Sequence, residues 1–335
     1  MKLGVIGTGY WGSNHARVAV ELEEDGLIEE VIFCDLDEDR VTELASNYGV
    51  EFVTDYRELI SRVDAAVIAT PSHTHRDIAI TLLSNGVDCL VEKPLAIHSD
   101  TAWEIVETAN QNNRTLAVGH IFRYHPALQA VKERIDRGEL GHIKYLHTNR
   151  YSFRVPRESS GVLHQLAVHD VDIYRYLLGG HPDRIFCATN SWIRDDIEET
   201  ATLTLNYENT IGTINESWQV PVFGKKRELI VIGTERSAYI DYLKDTEFEI
   251  FDSRIRREDG EYRAMEEGQT THETRNAEPL REEVTDFLMA IENDRSPLAS
   301  GQVGAEAISL LERAAESERT NSAVSVGADQ FRMSE

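Results

Sequence analysis

The chain of 335 residues is long enough for two domains, each with a hydrophobic core of its own. Its net charge is −25, which argues against nucleic acid as a partner because phosphate binding needs a basic face. No apolar run approaches the roughly 20 residues that span a membrane, and glycines interrupt the opening MKLGVIGTGYWG, unlike a signal peptide. We therefore expect a cytoplasmic protein without a membrane partner.

The balance of charged residue types indicates a salt-adapted protein. Seven lysines stand against 27 arginines in an acidic chain, and a high salt concentration would screen its self-repulsion. A merely acidic protein remains the alternative. The three cysteines are Cys34, Cys89 and Cys187, an odd number without a CxxC pair. They indicate small core residues, so we expect neither disulfides nor a metal site.

Strands and helices alternate over residues 1–122. The strand KLGVIG is followed by the helical pattern GSNHARVAVELEED and the strand EEVIFCD. Asp37 is placed to cap a helix that stops at Gly49. The later apolar strands DAAVIAT, DCLVE and TLAVGH are each preceded by a helical or turn segment. Apolar strands separated by helices predict an α/β domain of the Rossmann type, with a doubly wound parallel sheet.

The pattern changes over residues 123–335. A helix PALQAVKERIDRG leads to a strand near IKYLHTNRYSF, and GVLHQLAVHDVDIYRYLLGG has helical periodicity. Alternating strands from RIFCATNSW to EFEIFD predict an open, mostly antiparallel sheet. Residues 254–278 are polar and predict a surface loop, and two helices complete this second α/β domain.

A glycine-rich turn follows the first strand. Gly7 permits the tight turn, Gly9 lets a pyrophosphate approach the backbone, and Gly12 lets helix and strand pack closely. Asp35 ends the second strand, 23 residues after Gly12, where an acid can accept hydrogen bonds from ribose hydroxyls. It would repel a 2′-phosphate, so NAD is favoured over NADP. A glycine-rich turn in an unrelated α/β protein is the alternative.

Other residues near the predicted strand ends complete the cofactor site. Tyr10 and Trp11 belong to the glycine-rich turn itself. Thr70 and Pro71, in ATPSHTH, end another parallel strand, and ligands of such sheets bind beyond these ends. His75 is predicted either to touch the cofactor or to be bonded locally at a helix start.

The stretch CLVEKPLAI places a lysine at the end of a buried strand. Lys93 can hydrogen-bond a substrate hydroxyl and stabilise the alkoxide that develops during hydride transfer, beside the cofactor. Glu92 either lines the nicotinamide side or pairs with a neighbour. The Lys93–Pro94 bond is a plausible cis peptide.

Gln165, His169 and Asp172 have the i, i+4, i+7 spacing of one helix face. His169 can accept the proton of the substrate hydroxyl, and Asp172 can orient it. A core histidine with satisfied hydrogen bonds is the alternative reading of His169.

Four further basic residues are candidates for binding an acidic or hydroxylated substrate. Arg123 and His125 follow the last parallel strand in GHIFRYHP, where an interdomain salt bridge is the alternative for the arginine. Arg150 and Arg154 could contact a diphosphate or carboxylate, or could be solvated surface charges.

The motifs GTGYWG, ATPSHTH, EKP, GHIFRYHPA and LAVHDVD, in this order, resemble the glucose–fructose oxidoreductase/inositol dehydrogenase (Gfo/Idh/MocA) family over nearly the whole chain. The resemblance implies NAD(P)-dependent oxidation of a sugar or cyclitol hydroxyl, with Lys93 and His169 as the catalytic pair. It also implies a substrate domain whose open sheet makes homodimer or homotetramer contacts. GYWGSNH, GHIFRYHPAL and LREEVTDF look most like the nucleotide-sugar branch, such as UDP-N-acetylglucosamine 3-dehydrogenases.

One position departs from the family pattern. Many members have aspartate where this chain has Gln165, which can bind a hydroxyl but cannot take its proton. The proton then falls to His169, Lys93 or both. An NAD-dependent glycosidase and an NAD-binding sensor without turnover are the alternative functions.

Overall fold

The computed structural model describes residues 1–156, 160–195, 197–222, 224–244, 246–327 and 331. The chain forms two compact units. Residues 1–121 and 278–308 make up the first, and residues 122–277 with the described chain from 309 onwards make up the second. The domain boundary expected after residue 122 stays a prediction; its second part also includes residues 328–330 and 332–335, which lie outside the described residues.

Six parallel strands form the sheet of the first unit, in the order β3-β2-β1-β4-β5-β6. Its strands are β1 Lys2–Ile6, β2 Glu30–Cys34, β3 Glu51–Val53, β4 Ala65–Ile68, β5 Asp88–Val91 and β6 Leu116–Val118. The helices that connect them are α1 Tyr10–Glu24, α2 Glu38–Tyr48, α3 His75–Ser84 and α4 Ser99–Gln111. β1, β4 and β5 are buried almost throughout, as expected for strands covered on both faces.

Helix α2 begins and ends where the sequence predicts. The Asp37 side chain accepts a hydrogen bond from the backbone N–H of Arg40 at 3.1 Å, satisfying one of the free donors of the first turn. Gly49 ends the helix at φ 72°, a left-handed conformation that favours glycine.

The second unit contains a nine-stranded mixed sheet in the order β14-β13-β12-β11-β7-β10-β9-β8-β15. Only β7 and β10 pair in parallel, so the predicted open, mostly antiparallel sheet is confirmed. Its strands are β7 Ile143–Tyr151, β8 Arg184–Asn190, β9 Thr200–Asn206, β10 Ile211–Ser217, β11 Lys226–Gly233, β12 Ser237–Asp241, β13 Glu247–Glu258, β14 Glu261–Glu273 and β15 Val324–Ser325. Two helices lie before β8: α5 Pro126–Asp136 and α6 Val168–Leu178.

The chain then returns to the first unit. Helix α7 spans Pro279–Glu292 and packs Val284 and Phe287 into the core that contains the β1 residues. Beyond it, the backbone N–H of Val118 in β6 donates to the carbonyl of Ala299 at 2.8 Å. Helix α8, Gly301–Thr320, follows, and the division between the two units falls within it.

One local prediction was wrong. Residues 254–278 are predicted to form a surface loop, but β13 and β14 pair as a long antiparallel hairpin over most of that stretch. The helix predicted around His169 is confirmed, and its first turn, Leu163–Ala167, is π-helical before α6.

The three cysteines are free and buried, as expected of core residues. Among the described residues, none of the helices combines the length and apolarity needed to cross a membrane.

Candidate dinucleotide and catalytic site

The sheet of the first unit brings three predicted segments to one edge. β1 lies between β2 and β4, and β5 lies beside β4, all in parallel. The segments that follow β1, β4 and β5 therefore leave the sheet at its carboxyl edge. The chain changes its direction of winding between β1 and β4, and a crevice for ligands opens at such a point in open α/β sheets.

The glycine-rich turn has the geometry that a dinucleotide needs. Gly7 has φ 89°, and a Cβ on Gly12 would lie 1.7 Å from the carbonyl oxygen of Gly7. The space around Gly9 is open to at least 4 Å. Helix α1 begins at Tyr10 without a side-chain cap, so its first N–H groups can bind an anion. The turn therefore fits a pyrophosphate.

Asp35 is held beside this turn. Its Oδ2 accepts hydrogen bonds from the backbone N–H of Thr8 at 2.6 Å and from the Thr8 hydroxyl at 2.8 Å, and its Oδ1 accepts from the N–H of Asp37 at 3.0 Å. Partial burial works to raise the pKa of Asp35, but these hydrogen bonds outweigh it and lower the pKa. The ionised Oδ1 keeps acceptor capacity for a ribose hydroxyl.

The other predicted cofactor residues have different environments. Tyr10 is largely exposed, and Pro71 is exposed beside Thr70, whose hydroxyl bonds that of Thr74 at 2.7 Å. His75 is buried, and its ring nitrogens lie 3.0 Å from the carbonyl oxygen of Pro94 and 2.9 Å from that of Thr70. The geometry of His75 matches the local bonding that the sequence left open. Burial lowers its pKa.

Glu92 is the centre of a buried hydrogen-bond cluster. Its Oε1 accepts from the indole N–H of Trp11 and lies 2.7 Å from Nε2 of His15, while its Oε2 accepts from the backbone N–H of Lys93 at 3.1 Å. A Cβ on Gly119 would lie 2.9 Å from the carboxylate, so glycine leaves room for it there. Of the two alternatives for Glu92, it pairs with its neighbours and fixes the backbone that carries Lys93.

Lys93 follows the carboxyl end of β5 and is partly buried. The peptide bond between Lys93 and Pro94 is cis. The lysine therefore leaves the sheet at the same edge as the glycine-rich turn, where the fold predicts the cofactor.

Glu283, on α7, is a buried carboxyl group that the sequence did not single out. Neither of its carboxyl oxygens has a hydrogen-bond partner among the described residues, and one atom each from Glu283, His15 and Glu92 lie within 4.8 Å of one another. Burial, with Glu92 and Asp286 nearby, raises the pKa of Glu283 well above the ordinary value. The 2.7 Å separation of His15 and Glu92 is a hydrogen bond, too short for two ligands of one cation.

His169 begins the buried face of α6 in the second unit. Its ring lies edge-on to Phe122, with centroids 4.9 Å apart, and the side chain is 8% exposed. Gln165 lies on the preceding π-helical turn and donates to the hydroxyl of Ser160 at 2.6 Å. Gln165 and His169 are therefore not on one regular α-helix face. π-Helical turns inside helices are frequent at functional sites.

Arg123 and Asp172 form a buried ion pair inside the second unit. Nε and Nη2 of the arginine lie 2.8 Å and 2.7 Å from the two carboxylate oxygens. Arg123 thus forms a salt bridge, but within one unit and not between domains as the alternative expected, and the pair gives no support to Asp172 as the group that orients His169. His125 begins α5 and is buried, with its ring edge-on to Tyr242 at 5.2 Å.

Arg150 is likewise paired, whereas no carboxylate in the described part of the chain forms an ion pair with its neighbour Arg227. Arg150 donates to both oxygens of Asp170, and both side chains are buried. Arg227 lies opposite it on β11, and burial together with the charges of Arg150 and Arg154 lowers the pKa of Arg227 to about 10. The guanidinium of Arg154 lies 4.9 Å from the ring centre of Trp218. No motif or spacing in the chain singles out Arg227.

A six-stranded parallel sheet with a pyrophosphate turn, an acid at the end of β2 and a lysine beyond β5 defines a dinucleotide-binding enzyme of the Rossmann class. A sequence model described as "Oxidoreductase family, NAD-binding Rossmann fold" matches residues 1–120. A second, described as "GFO/IDH/MocA C-terminal domain", matches residues 128–239.

Named relatives agree with both matches. The chain is 30% identical to scyllo-inositol 2-dehydrogenase (NAD(+)) of Bacillus subtilis over 73% of its own length and 75% of the relative's. It is 29% identical to UDP-N-acetylglucosamine 3-dehydrogenase of Acidithiobacillus ferrooxidans, over 73% and 75%. The chain belongs to the GFO/IDH/MocA family of oxidoreductases.

Solved structures agree on the fold. A structure of the Acidithiobacillus ferrooxidans enzyme aligns with a TM-score of 0.81 at 25% identity, covering 95% of this chain and 98% of that one. Levoglucosan dehydrogenase in complex with NADH and L-sorbose aligns with a TM-score of 0.85 at 20% identity, covering 98% and 99%. The protein is an NAD-binding oxidoreductase, as the sequence predicted.

Proposed function

We propose that the protein oxidises a secondary hydroxyl of a sugar, sugar nucleotide or cyclitol, with Lys93 and His169 at the reacting hydroxyl. The observation that carries the proposal is the anchoring of the Lys93 backbone by Glu92, at the carboxyl edge where the glycine-rich turn also lies. NAD, bound there, supplies the acceptor for the hydride that leaves the carbinol carbon.

The residues of the chain would divide the remaining work. The glycine-rich turn and Asp35 hold the cofactor by its pyrophosphate and ribose. The ammonium group of Lys93 hydrogen-bonds the substrate oxygen and stabilises its developing negative charge. The hydroxyl proton goes to His169, or to Lys93 if the lysine binds the hydroxyl as a neutral amine and becomes the ammonium group as the proton moves, since Gln165 cannot take it. The product is the corresponding ketone.

The relatives support this class of substrate. Those named above are dehydrogenases of a nucleotide sugar and of an inositol, and a myo-inositol 2-dehydrogenase of Thermotoga maritima is 24% identical over 92% of this chain. These names suggest that the hydroxyl to be oxidised lies on a six-membered ring. A homodimer or homotetramer, a cytoplasmic location and adaptation to high salt stay predictions.

A substrate panel with a lysine variant tests the proposal. NADH formation is measured with UDP-N-acetylglucosamine, glucuronate, glucose and myo-inositol. With the substrate that reacts, Lys93→Ala should lower kcat by about 10²- to 10⁴-fold, the usual range for one acid–base group. The affinity for NAD, measured by calorimetry, should change far less.

Lys244→Ala is the matched control, because Lys244 pairs with Glu247 at 2.6 Å on the exposed surface. It should leave kcat unchanged. Undiminished turnover in Lys93→Ala would contradict the assigned role. Cleavage of a glycoside without net NADH would instead support the glycosidase alternative.

A further inference from the structure

Two neighbouring cations of the second unit, Lys225 and Arg227, repel each other and have no ion-pair partner among the described residues. Arg227 lies near the start of β11, and Lys225 directly precedes that strand. No carboxylate of the described chain lies within ion-pair distance of either side chain. In a chain with 59 acidic residues, unmatched neighbouring cations are unexpected.

The neighbours of Arg227 repel its charge more than they attract it. After burial, the largest influences that lower its pKa are the charges of Arg150 and then Arg154, and they exceed the opposing effects of Asp170 and Glu216. The charge of Arg227 is in turn the first cause that lowers the pKa of Lys225. The cationic cluster, defined as Arg154, Lys225 and Arg227, therefore holds mutually repelling positive charges.

The other arginines of this region are arranged differently. Arg123 and Arg150 each bind both oxygens of a buried aspartate. Lys226, the residue between Lys225 and Arg227, lies 2.8 Å from Glu228. The fold thus neutralises the adjacent cations and leaves Lys225 and Arg227 without such a partner, which is the arrangement expected where an anion is to bind.

A chain of ring contacts links this cluster to His169 within the second unit. The guanidinium of Arg150 lies 4.2 Å from the ring centre of Phe122, and Phe122 lies edge-on to His169. Arg227 is the cross-strand partner of Arg150. Two side chains, those of Arg150 and Phe122, therefore lie between the cluster and His169. A substrate could span this separation with its anionic group at the cluster and its reacting hydroxyl near His169.

We propose that the cationic cluster binds an anionic group of the substrate, a phosphate or carboxylate carried by the sugar whose hydroxyl reacts near His169. This inference rests on the proposed function and specifies its substrate class. Arginine offers two parallel donors to such a group, and the lysine adds a point charge. The Trp218 ring under Arg154 holds that guanidinium in place by a cation–π contact.

Binding to the protein saturated with NADH, which cannot oxidise the sugar, tests the inference. Calorimetry would compare UDP-N-acetylglucosamine, glucuronate, myo-inositol and glucose at one fixed salt concentration. We expect one of the two anionic sugars to bind well and the neutral ones weakly. Binding of UDP-N-acetylglucosamine would indicate a site for a diphosphate, and binding of glucuronate would indicate a site for a carboxylate. Arg227→Ala should weaken that binding about ten- to hundredfold, as expected for a charge-assisted hydrogen bond.

Lys226→Ala is the matched control, since it removes a neighbouring cation that already has a carboxylate. It should bind the anionic sugar like the wild type, and both variants should bind NAD like the wild type. If Arg227→Ala does not fold, competition by inorganic pyrophosphate for the anionic sugar on the wild-type protein replaces it.

Equal affinity for neutral and anionic sugars, or equal affinity in the two variants, would overturn the inference. The proposed function fails separately, if no sugar of the panel reduces NAD. Tight binding of an anionic sugar without NAD reduction would support anion binding by the cationic cluster and contradict the proposed dehydrogenase activity.

Discussion

Glu283 has an unusual charge environment in the first unit. A buried carboxylate without hydrogen bonds is costly, and the carboxyl group avoids that cost by keeping its proton. Three titratable groups of the described chain face it: His15 from α1, Glu92 beyond β5, and Asp286 on its own helix, which pairs with Arg295. Glu92 has three hydrogen-bond partners, whereas neither carboxyl oxygen of Glu283 has one among the described residues.

The stability of the protein should therefore depend on pH through Glu283. Its native pKa is raised above the ordinary 4.5, so the folded chain keeps a proton that the unfolded chain loses as the pH rises. The free energy of unfolding should then fall by about 1.4 kcal/mol per pH unit from pH 4.5 up to the native pKa. Glu283→Gln carries no such proton. Its free energy of unfolding, measured with denaturant, should therefore rise relative to that of the wild type by the same amount per pH unit over this range.

Glu292→Gln, at the exposed end of the same helix, is the control and should parallel the wild type at every pH. If the difference between wild type and Glu283→Gln is constant above pH 5, Glu283 is ionised and the interpretation fails.

At the scale of single residues, the sequence predicts those functional groups that belong to a motif. The motif indicates a turn at Gly7 and Gly12 with Asp35 nearby, and in the structure Asp35 accepts a hydrogen bond from Thr8 of that turn. Glu283 and Arg227 carry no local signal. Their properties come from burial and from charges on distant segments, which no spacing along the chain reveals.

At the scale of one element, the start of helix α1 needs glycine at two positions for different reasons. Packing requires Gly12, and cofactor binding requires Gly9, so single substitutions can separate the two. A Cβ on Gly12 would collide with the Gly7 carbonyl and push the helix from β1, whereas a Cβ on Gly9 meets nothing within 4 Å. Gly9 also has φ −67°, which any residue adopts. Gly12→Ala should therefore lower the free energy of unfolding by about 1–3 kcal/mol, the usual range for overpacking.

Gly9→Ala should keep the melting temperature of the protein without cofactor but weaken NAD binding, because its methyl group occupies the approach of the pyrophosphate. Thermal unfolding and calorimetry on both variants measure this. Equal loss of stability in the two variants would mean that α1 does not pack as described.

The hairpin of β13 and β14 explains why one element was missed. Its outer half lacks the alternation of apolar and polar residues that identifies a half-buried strand, because both of its faces are largely exposed. Asp37 and Gly49, by contrast, mark the limits of α2 by chemistry that acts within one turn. Elements that bury a face or carry a cap are predictable, and an exposed hairpin is not.

The return of α7 to the first unit belongs to the scale of the whole molecule. Its pattern predicts a helix, but only the contacts of Val284 and Phe287 with the first core decide which unit it joins. The order of segments along the chain assigns α7 to the second domain. Its packing against a distant segment of the chain cannot be recognised from its composition.

The net charge of −25 is also distributed unfavourably. In the hairpin, like charges lie directly opposite one another on the two strands, which destabilises a sheet. These cross-strand pairs are Glu247–Glu273, Arg256–Arg263 and Glu258–Glu261. Exposed ion pairs elsewhere, such as Arg76–Glu104, contribute at most about 1 kcal/mol each.

Salt should therefore stabilise the protein at neutral pH. Screening weakens the favourable surface pairs and the unfavourable net repulsion together, and the excess of acidic groups makes the second effect larger. We expect the melting temperature to rise with NaCl at pH 7. The gain should shrink near the isoelectric point of about 4.9, where net repulsion vanishes. An equal gain at both pH values would assign the effect to salt exclusion from the surface rather than to charge, and a fall at pH 7 would contradict the expected adaptation to high salt.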